Sequence, residues 1–248
     1  MFDLFNQLDL TRLGASLALV ALAGLLSYWQ RAGLGKDLAI ATVRSFVQLI
    51  AIGYALEFIF AMDSAGWTLF IILVMLLVAA HTSAARGRGI PHSRWIANAS
   101  IGFGTLTTIG LLVVLGIFDL EALFIIPIAG MVIGNTMTTC SLVMGRMRDD
   151  VADHRGQIET ALALGATSRQ AVQPTVRRSI RSAMVPIIDT TKTVGLIKLP
   201  GAMTGMILAG ASPLVAVQLQ IVVMYMLVGA SAFTGLVASY LTARVFFS

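Results

Sequence analysis

Apolar residues gather along this chain into long blocks, separated by short polar connections. An α-helix needs about 20 consecutive apolar residues to cross the hydrocarbon core of a bilayer. Seven blocks approach or exceed that length, so the pattern predicts an all-α membrane protein with about seven transmembrane helices. The predicted spans are roughly 10–30, 38–60, 66–84, 96–118, 121–145, 183–210 and 213–243.

Composition agrees with the pattern. The chain is 57% hydrophobic and 12% charged, whereas a soluble domain carries about 25% charged residues. We expect one transmembrane domain over residues 1–248. The sequence contains one cysteine, Cys140, so an internal disulfide is excluded. Cys140 lies in an apolar block. Asp3 and Asp9 stand where a signal peptide would have a basic stretch, so we expect no cleaved leader.

The connections between the predicted spans alternate in charge. Basic residues occur in 31–37, 85–95, 146–182 and the C-terminal tail, whereas the other connections are acidic or uncharged. Because basic residues beside a span remain cytoplasmic, the N-terminus is predicted outside and the C-terminus in the cytoplasm. The net charge of +5 reflects this asymmetry, and no nucleic-acid partner is needed to explain it.

The longest connection, residues 146–182, is a charged cytoplasmic insert with helix-favouring residues. Its segment 157–164 is amphipathic and is followed by Gly165, the residue type that ends helices. Thr167 and Gln170 have the spacing of a capping box, which begins a helix. The sequence therefore predicts helix, tight turn and helix. A solvated linker is the alternative that composition leaves open.

Charged residues also interrupt the sixth apolar block, in the stretch DTTKTVGLIKLPGAMTG of residues 189–205. Asp189 and Lys192 are three positions apart, so on a helix they share a face and can pair. Ionisable residues within a membrane usually face a bundle interior or a water-filled cavity. The alternative is that both residues lie in the cytoplasmic interface.

The same stretch contains a helix-breaking pair, Pro200 and Gly201. Pro200 removes a backbone donor, so we predict a break near Leu199. Broken helices at membrane depth occur where they line a cavity, and they often mark transport sites. Segment 186–210 is therefore either one kinked helix or two half helices. In the alternative, Pro200 is a plain kink and Lys198 extends to the headgroups.

The stretch ETALALGAT, from Glu159 to Thr167, resembles the cytoplasmic coupling loop of ABC-transporter permeases. That pattern has a glutamate, small residues, a glycine six positions on, and an Ile-x-Leu-Pro stretch downstream. Here Glu159, Ala161 and Gly165 match it, followed by IKLP at 197–200. The resemblance implies that Glu159, Ala161 and Gly165 couple the chain to an ATPase.

The continuation from Val185 to Tyr225 resembles the signature of the FetB-type (UPF0014) permeases, and the resemblance spans nearly the whole chain. This family includes bacterial iron exporters and plant aluminium-tolerance proteins. The resemblance implies a multi-pass permease of the bacterial inner membrane that forms a homodimer and is driven by a separate cytoplasmic ABC ATPase. We expect no enzymatic activity and no cofactor in this chain, because ATP and Mg²⁺ would bind to the ATPase. The sequence contains no G-x-x-x-x-G-K-[ST] loop.

Several residues of the interrupted block are candidates for a translocation pathway. They are Asp189, Lys192, Lys198, Pro200, Gly201, Met203 and Met206. An ion-coupled secondary transporter with an intramembrane Asp/Lys pair is the alternative function, and it would need no coupling insert. The substrate, the direction of transport and any metal ligands stay open, since no two histidines have metal-ligand spacing.

Overall fold

The computed structural model describes residues 10–62, 64–118 and 121–246, and the regular elements in these ranges are helices. They are α1 (Leu10–Trp29), α2 (Gly35–Met62), α3 (Ala65–Arg86), α4 (Ser93–Val114), α5 (Ala122–Asp153), α6 (Arg155–Ala163), α7 (Ser168–Thr193), α8 (Gly201–Leu208) and α9 (Pro213–Phe246). Five described helices are long and apolar enough to cross a membrane: α2, α3, α4, α5 and α9. The all-helical prediction is confirmed. Asp3, Asp9, Asp63 and Asp119, which entered the predictions on leader and topology, lie outside the described residues.

The described residues up to Met62 form one compact unit, in which α1 packs against α2. Their connection is a short turn that Ser27 organises, since its hydroxyl accepts a hydrogen bond from the backbone N–H of Leu34 at 3.0 Å. Arg31 and Gly33 adopt positive φ angles there. The apolar stretch of α1 that the structure describes, Gly14–Trp29, is shorter than the stretches in α2 and α3.

The described residues from 64 onward form a second compact unit, whose core lies between α3, α4, α5, α7 and α9. Small side chains allow these helices to approach closely, as membrane helices require. At Gly104 of α4, for example, an added Cβ would overlap the side chain of Thr234 in α9. Buried core residues include Ala80, Ala97, Ile101, Ala129, Val132, Ile133, Cys140, Val143, Met144, Ala183, Ile187, Ala230 and Ala238.

Helix α5 continues beyond the predicted end of its span at 145, as far as Asp153. Residues 146–153 contain no glycine or proline, and Met147 is fully buried, so nothing ends the helix earlier. At 1.5 Å per residue the 32 residues measure about 48 Å, which exceeds a hydrocarbon core of about 30 Å. The first part of the insert is therefore a continuation of α5.

The predicted span 183–210 is divided into two helices, α7 and α8, which decides between the two arrangements left open by the sequence. The expected position of the break, near Leu199, lies within the interruption, which is longer than expected because α7 already ends at Thr193 and α8 begins at Gly201. Gly195 turns the chain with a φ of +83°, a conformation that favours glycine. Pro200 lies at the other end of the connection, as the N-cap of α8.

Candidate functional site

The connection between α6 and α7 is a tight turn held by hydrogen bonds of its own residues. The hydroxyl of Thr167 accepts a hydrogen bond from the backbone N–H of Gln170 at 3.3 Å. The backbone N–H of Thr167 donates to Oε1 of Gln170 at 2.9 Å. Gly165 adopts a φ of +91°, which a side chain would strain. The predicted helix, tight turn and helix, with its capping box, is confirmed.

This turn, residues 159–167, presents both charged and apolar side chains to solution. Leu164 is 84% exposed, although leucine prefers burial, and Glu159 is exposed as well. Glu159 accepts a 2.7 Å hydrogen bond from the guanidinium of Arg155. That bond and the carboxylate charge raise the pKa of Arg155. Ile158 is buried on the other side of α6, so the turn has one anchored face and one free face.

Two arginines attach the helices at the base of the turn to neighbouring parts of the second unit. Arg178 of α7 forms an ion pair with Asp150 of α5 at 3.3 Å. Arg148 of α5 lies 3.4 Å from the backbone carbonyl oxygens of Arg86 and Arg88, to which its Nη1 donates. The insert is therefore packed against α5 and the connection that follows α3, and it is not the solvated linker that composition left open.

Helix α7 joins the turn to the interior of the second unit. Its 26 residues run without interruption from Ser168 to Thr193, a length of about 39 Å. Two prolines lie inside it, Pro174 and Pro186. Each proline removes one helical hydrogen bond, which makes a helix easier to bend at that point.

A cavity of about 360 Å³ lies between α5, α7, α8 and α9, beside the last turns of α7. Its polar lining consists of Asn135, Thr190, Lys198 and Gln220. The other lining residues are Met131, Pro186, Ile187, Val194, Pro200, Gly201, Ala202, Val223, Met224 and Leu227. The cavity thus combines one lysine and several hydrogen-bonding groups with apolar and thioether walls.

Gln220 is the least satisfied polar residue of this lining. Its side chain is buried, and Oε1 has no hydrogen-bond partner among the described residues. An unmade hydrogen bond of this kind costs about 1–3 kcal/mol, and a donor from a bound water or ligand would offset that cost. Asn135 and Thr190 are held in place, since each donates to a backbone carbonyl of its own helix. Gln220 therefore offers an acceptor that a bound molecule can satisfy.

The structure brings together only part of the predicted pathway set. Lys198, Pro200 and Gly201 line the cavity, whereas Met203 and Met206 lie half-buried on α8 outside its lining. Asp189 and Lys192 are exposed, and no ion pair joins them, so the pairing predicted from their spacing was wrong for this structure.

Sequence reasoning missed Asn135 and Gln220. Both are amides inside long apolar helices, and that rarity is the signal that could have indicated them. The residues that the structure describes contain no cluster of three or more His, Cys, Asp or Glu side chains suited to a metal ion.

Comparison with known proteins identifies the family. The model of the uncharacterised protein family UPF0014 matches residues 10–247. The chain belongs to the UPF0014 family. The chain is 50% identical to the UPF0014 membrane protein STAR2 of Oryza sativa subsp. japonica, over 94% of this chain and 82% of that protein.

Two further relatives have informative names. Protein ALUMINUM SENSITIVE 3 of Arabidopsis thaliana is 45% identical over 99% of this chain and 93% of its own length. The probable iron export permease protein FetB of Escherichia coli is 36% identical over 95% of this chain and 91% of its own length. No solved structure gave a significant match. This UPF0014 chain is thus a membrane protein whose relatives include a named permease.

Proposed function

We propose that this UPF0014 chain is the permease subunit of an ABC transporter that a separate cytoplasmic ATPase drives. One observation carries the proposal: α7 begins at an exposed turn and ends at a polar cavity, so a single continuous helix joins the two. Glu159, Ala161 and Gly165 of the turn are the proposed ATPase contact. ATP and Mg²⁺ bind to the ATPase, and the chain itself needs no cofactor.

The turn has the properties of a docking element. A protein contact needs an exposed apolar residue that is held still, because ordering a flexible loop on binding costs free energy. Leu164 supplies the apolar side chain, and the capping box of Thr167 and Gln170 supplies the rigidity. When the ATPase closes on ATP it displaces the turn, and α7 transmits the displacement toward Pro186.

The proposed topology has seven spans in the bacterial inner membrane, with the N-terminus outside. To the five long apolar helices it adds α1 and the pair α7–α8. Helix α7 lies along α9, beside Arg244 at its beginning and beside Leu227 near its end. Helix α8 follows, and a short turn connects it to the start of α9 at Pro213. The two helices thus accompany α9 over its length, as a broken sixth span would.

We propose that two copies form the transporter, with a central pathway between them. Asp189 and Lys192 are exposed on the single chain, although charged residues in a membrane segment require a partner or water. A second copy facing these residues would enclose them around an aqueous pathway. The ion-coupled alternative depended on a paired Asp189 and Lys192, which the structure does not form.

The proposed activity is export of iron, following the name of the Escherichia coli relative. Reconstitution with candidate ABC ATPases in proteoliposomes tests it. Two results together would support the proposal. The first is a cross-link between the ATPase and Leu164→Cys in a Cys140→Ala background, and the second is ATP-dependent iron movement. Iron movement without any ATPase would contradict it. Labelling of the turn from the side opposite the ATPase would contradict the topology.

A further inference from the structure

A second cavity, distinct from the one beside Gln220, lies between the first half of α7 and the last part of α9. It is a groove of about 540 Å³, lined by one face of each helix at intervals of three and four residues. The α7 face consists of Ser168, Arg169, Val172, Gln173, Val176, Arg177 and Ile180. The α9 face consists of Leu236, Ser239, Tyr240, Ala243 and Arg244. We call this site the arginine groove.

Three positive charges in the arginine groove have no counter-charge. Among the described residues, Arg169, Arg177 and Arg244 form no ion pair, whereas Arg148, Arg155 and Arg178 each have a carboxylate partner. Guanidinium groups gathered in one groove repel each other unless an anion lies between them. Their planar donors suit the oxygens of a phosphate, which they can bind in pairs.

The groove changes from charged to apolar along its length. As α7 advances from Arg169 to Ile180 and on to the inner cavity, the facing residues of α9 run backward from Arg244 to Leu236, so the two helices are antiparallel. The end next to the turn carries Arg169 and Arg244, Arg177 lies further along α7, and the end next to the core carries Ile180 and Leu236. A molecule with an anionic head and a hydrocarbon tail matches this order.

The position of the groove relative to a bilayer also fits a molecule with an anionic head and a hydrocarbon tail. Helix α9 has 34 residues and measures about 51 Å, so its last turns project beyond a hydrocarbon core of about 30 Å. Tyr240 is 62% exposed and Leu236 is 55% exposed. An exposed tyrosine beside basic residues is typical of the headgroup level of a membrane.

We propose that the arginine groove binds an anionic phospholipid of the adjacent leaflet. The lipid phosphate accepts hydrogen bonds from Arg169, Arg177 and Arg244, and an acyl chain covers Ile180 and Leu236. Such a lipid bridges the start of α7 to the end of α9. It would therefore hold the first half of α7, next to the turn, against the membrane surface.

Lipid binding to the purified full chain, without an ATPase, tests this proposal separately from the transport function. The probe is phosphatidylglycerol, compared with phosphatidylcholine, and the readout is the count of lipids retained in native mass spectrometry during a titration. The triple variant Arg169→Gln, Arg177→Gln, Arg244→Gln should lose at least about tenfold in phosphatidylglycerol affinity, since each arginine contributes to attraction for anionic lipid. The matched control, Arg94→Gln, Arg146→Gln, Arg181→Gln, removes three arginines outside the groove and should change affinity less than about twofold.

Two further measurements, one on a lysine variant and one with a competing ligand, complete the test. If the triple glutamine variant does not fold, Arg→Lys at the same three positions keeps the charge and should weaken binding only partly. Glycerol 3-phosphate carries the phosphate without acyl chains and should compete poorly. Equal lipid binding by the triple variant and the wild type would overturn the proposal. So would strong competition by glycerol 3-phosphate, because the groove would then bind a free phosphate compound and not a lipid.

Discussion

Arg178 of α7 donates a 3.3 Å hydrogen bond to Asp150 of α5, although the two residues are 28 positions apart in sequence. The bond lies at the base of the turn formed by residues 159–167. It therefore attaches α7 to the extended end of α5, five residues before Ala183, which belongs to the apolar core. We predict that this attachment sets the axis about which α7 moves.

Asp150→Asn tests the attachment. Both side chains are partly exposed, so the pair should contribute no more than about 1 kcal/mol to the free energy of unfolding. We expect a small fall in melting temperature but a clear rise in ATP hydrolysed per substrate moved, because α7 is held less firmly. Asp153→Asn is the control, since Asp153 forms no ion pair among the described residues. If Asp150→Asn and Asp153→Asn hydrolyse the same amount of ATP per substrate moved, the pair of Arg178 and Asp150 has no role in coupling.

Gly165→Val tests the turn. A Cβ at Gly165 meets no atom within 4 Å, so the effect comes from the φ of +91° alone. Forcing a β-branched residue into that conformation should cost about 1–3 kcal/mol locally and distort the turn. We expect ATP hydrolysis to separate from transport while the melting temperature falls by only about a few degrees. Gly165→Asn, which tolerates this conformation better, should keep most of the coupling. If ATP hydrolysis and transport stay fully coupled in Gly165→Val, the turn is only a structural connection.

Gln220→Leu tests the cavity. The change replaces a buried amide whose oxygen has no partner by an apolar side chain of similar size, so stability should be unchanged or higher by about 1 kcal/mol. Transport should fall, because the cavity loses its free acceptor. Gln218→Leu, at an exposed position of the same helix, is the matched control and should transport normally. A destabilised Gln220→Leu that transports like wild type would show that the amide serves packing.

A double-mutant cycle tests Asp189 and Lys192. Because the two side chains are exposed and do not pair, neutralising either one should change the free energy of unfolding by less than about 1 kcal/mol, and the effects should add. Transport should fall in both single variants if the residues face the central pathway. A coupling energy of several kcal/mol would show that they form a buried pair in the assembled transporter.

The sequence predicted the helical fold and the turn well, because these depend on local signals. Apolar block length indicates the long helices, and Thr167 with Gln170 indicates the capping box regardless of tertiary context. The break in the sixth block was predicted, but its cause was assigned to Pro200. The structure places the turn of the backbone at Gly195, so Pro200→Ala is not expected to mend the helix.

The cavity could be predicted only in part. Lys198, Pro200 and Gly201 stood out because polar or helix-breaking residues in an apolar block are rare. Asn135 and Gln220 come from distant helices, and only packing reveals that they face the same space. The pairing of Asp189 with Lys192 failed because a spacing of three permits contact without requiring it.

The central claim is that α7 carries an ATP-driven displacement from the turn to the cavity. The most direct measurement is the rate at which a thiol reagent labels Thr190→Cys in a Cys140→Ala background, with the ATPase bound and with or without a non-hydrolysable ATP analogue. We expect a severalfold change in labelling rate on ATP-analogue binding, and loss of that change when Gly165→Val is added. An unchanged rate, or a change that persists with the altered turn, would contradict it.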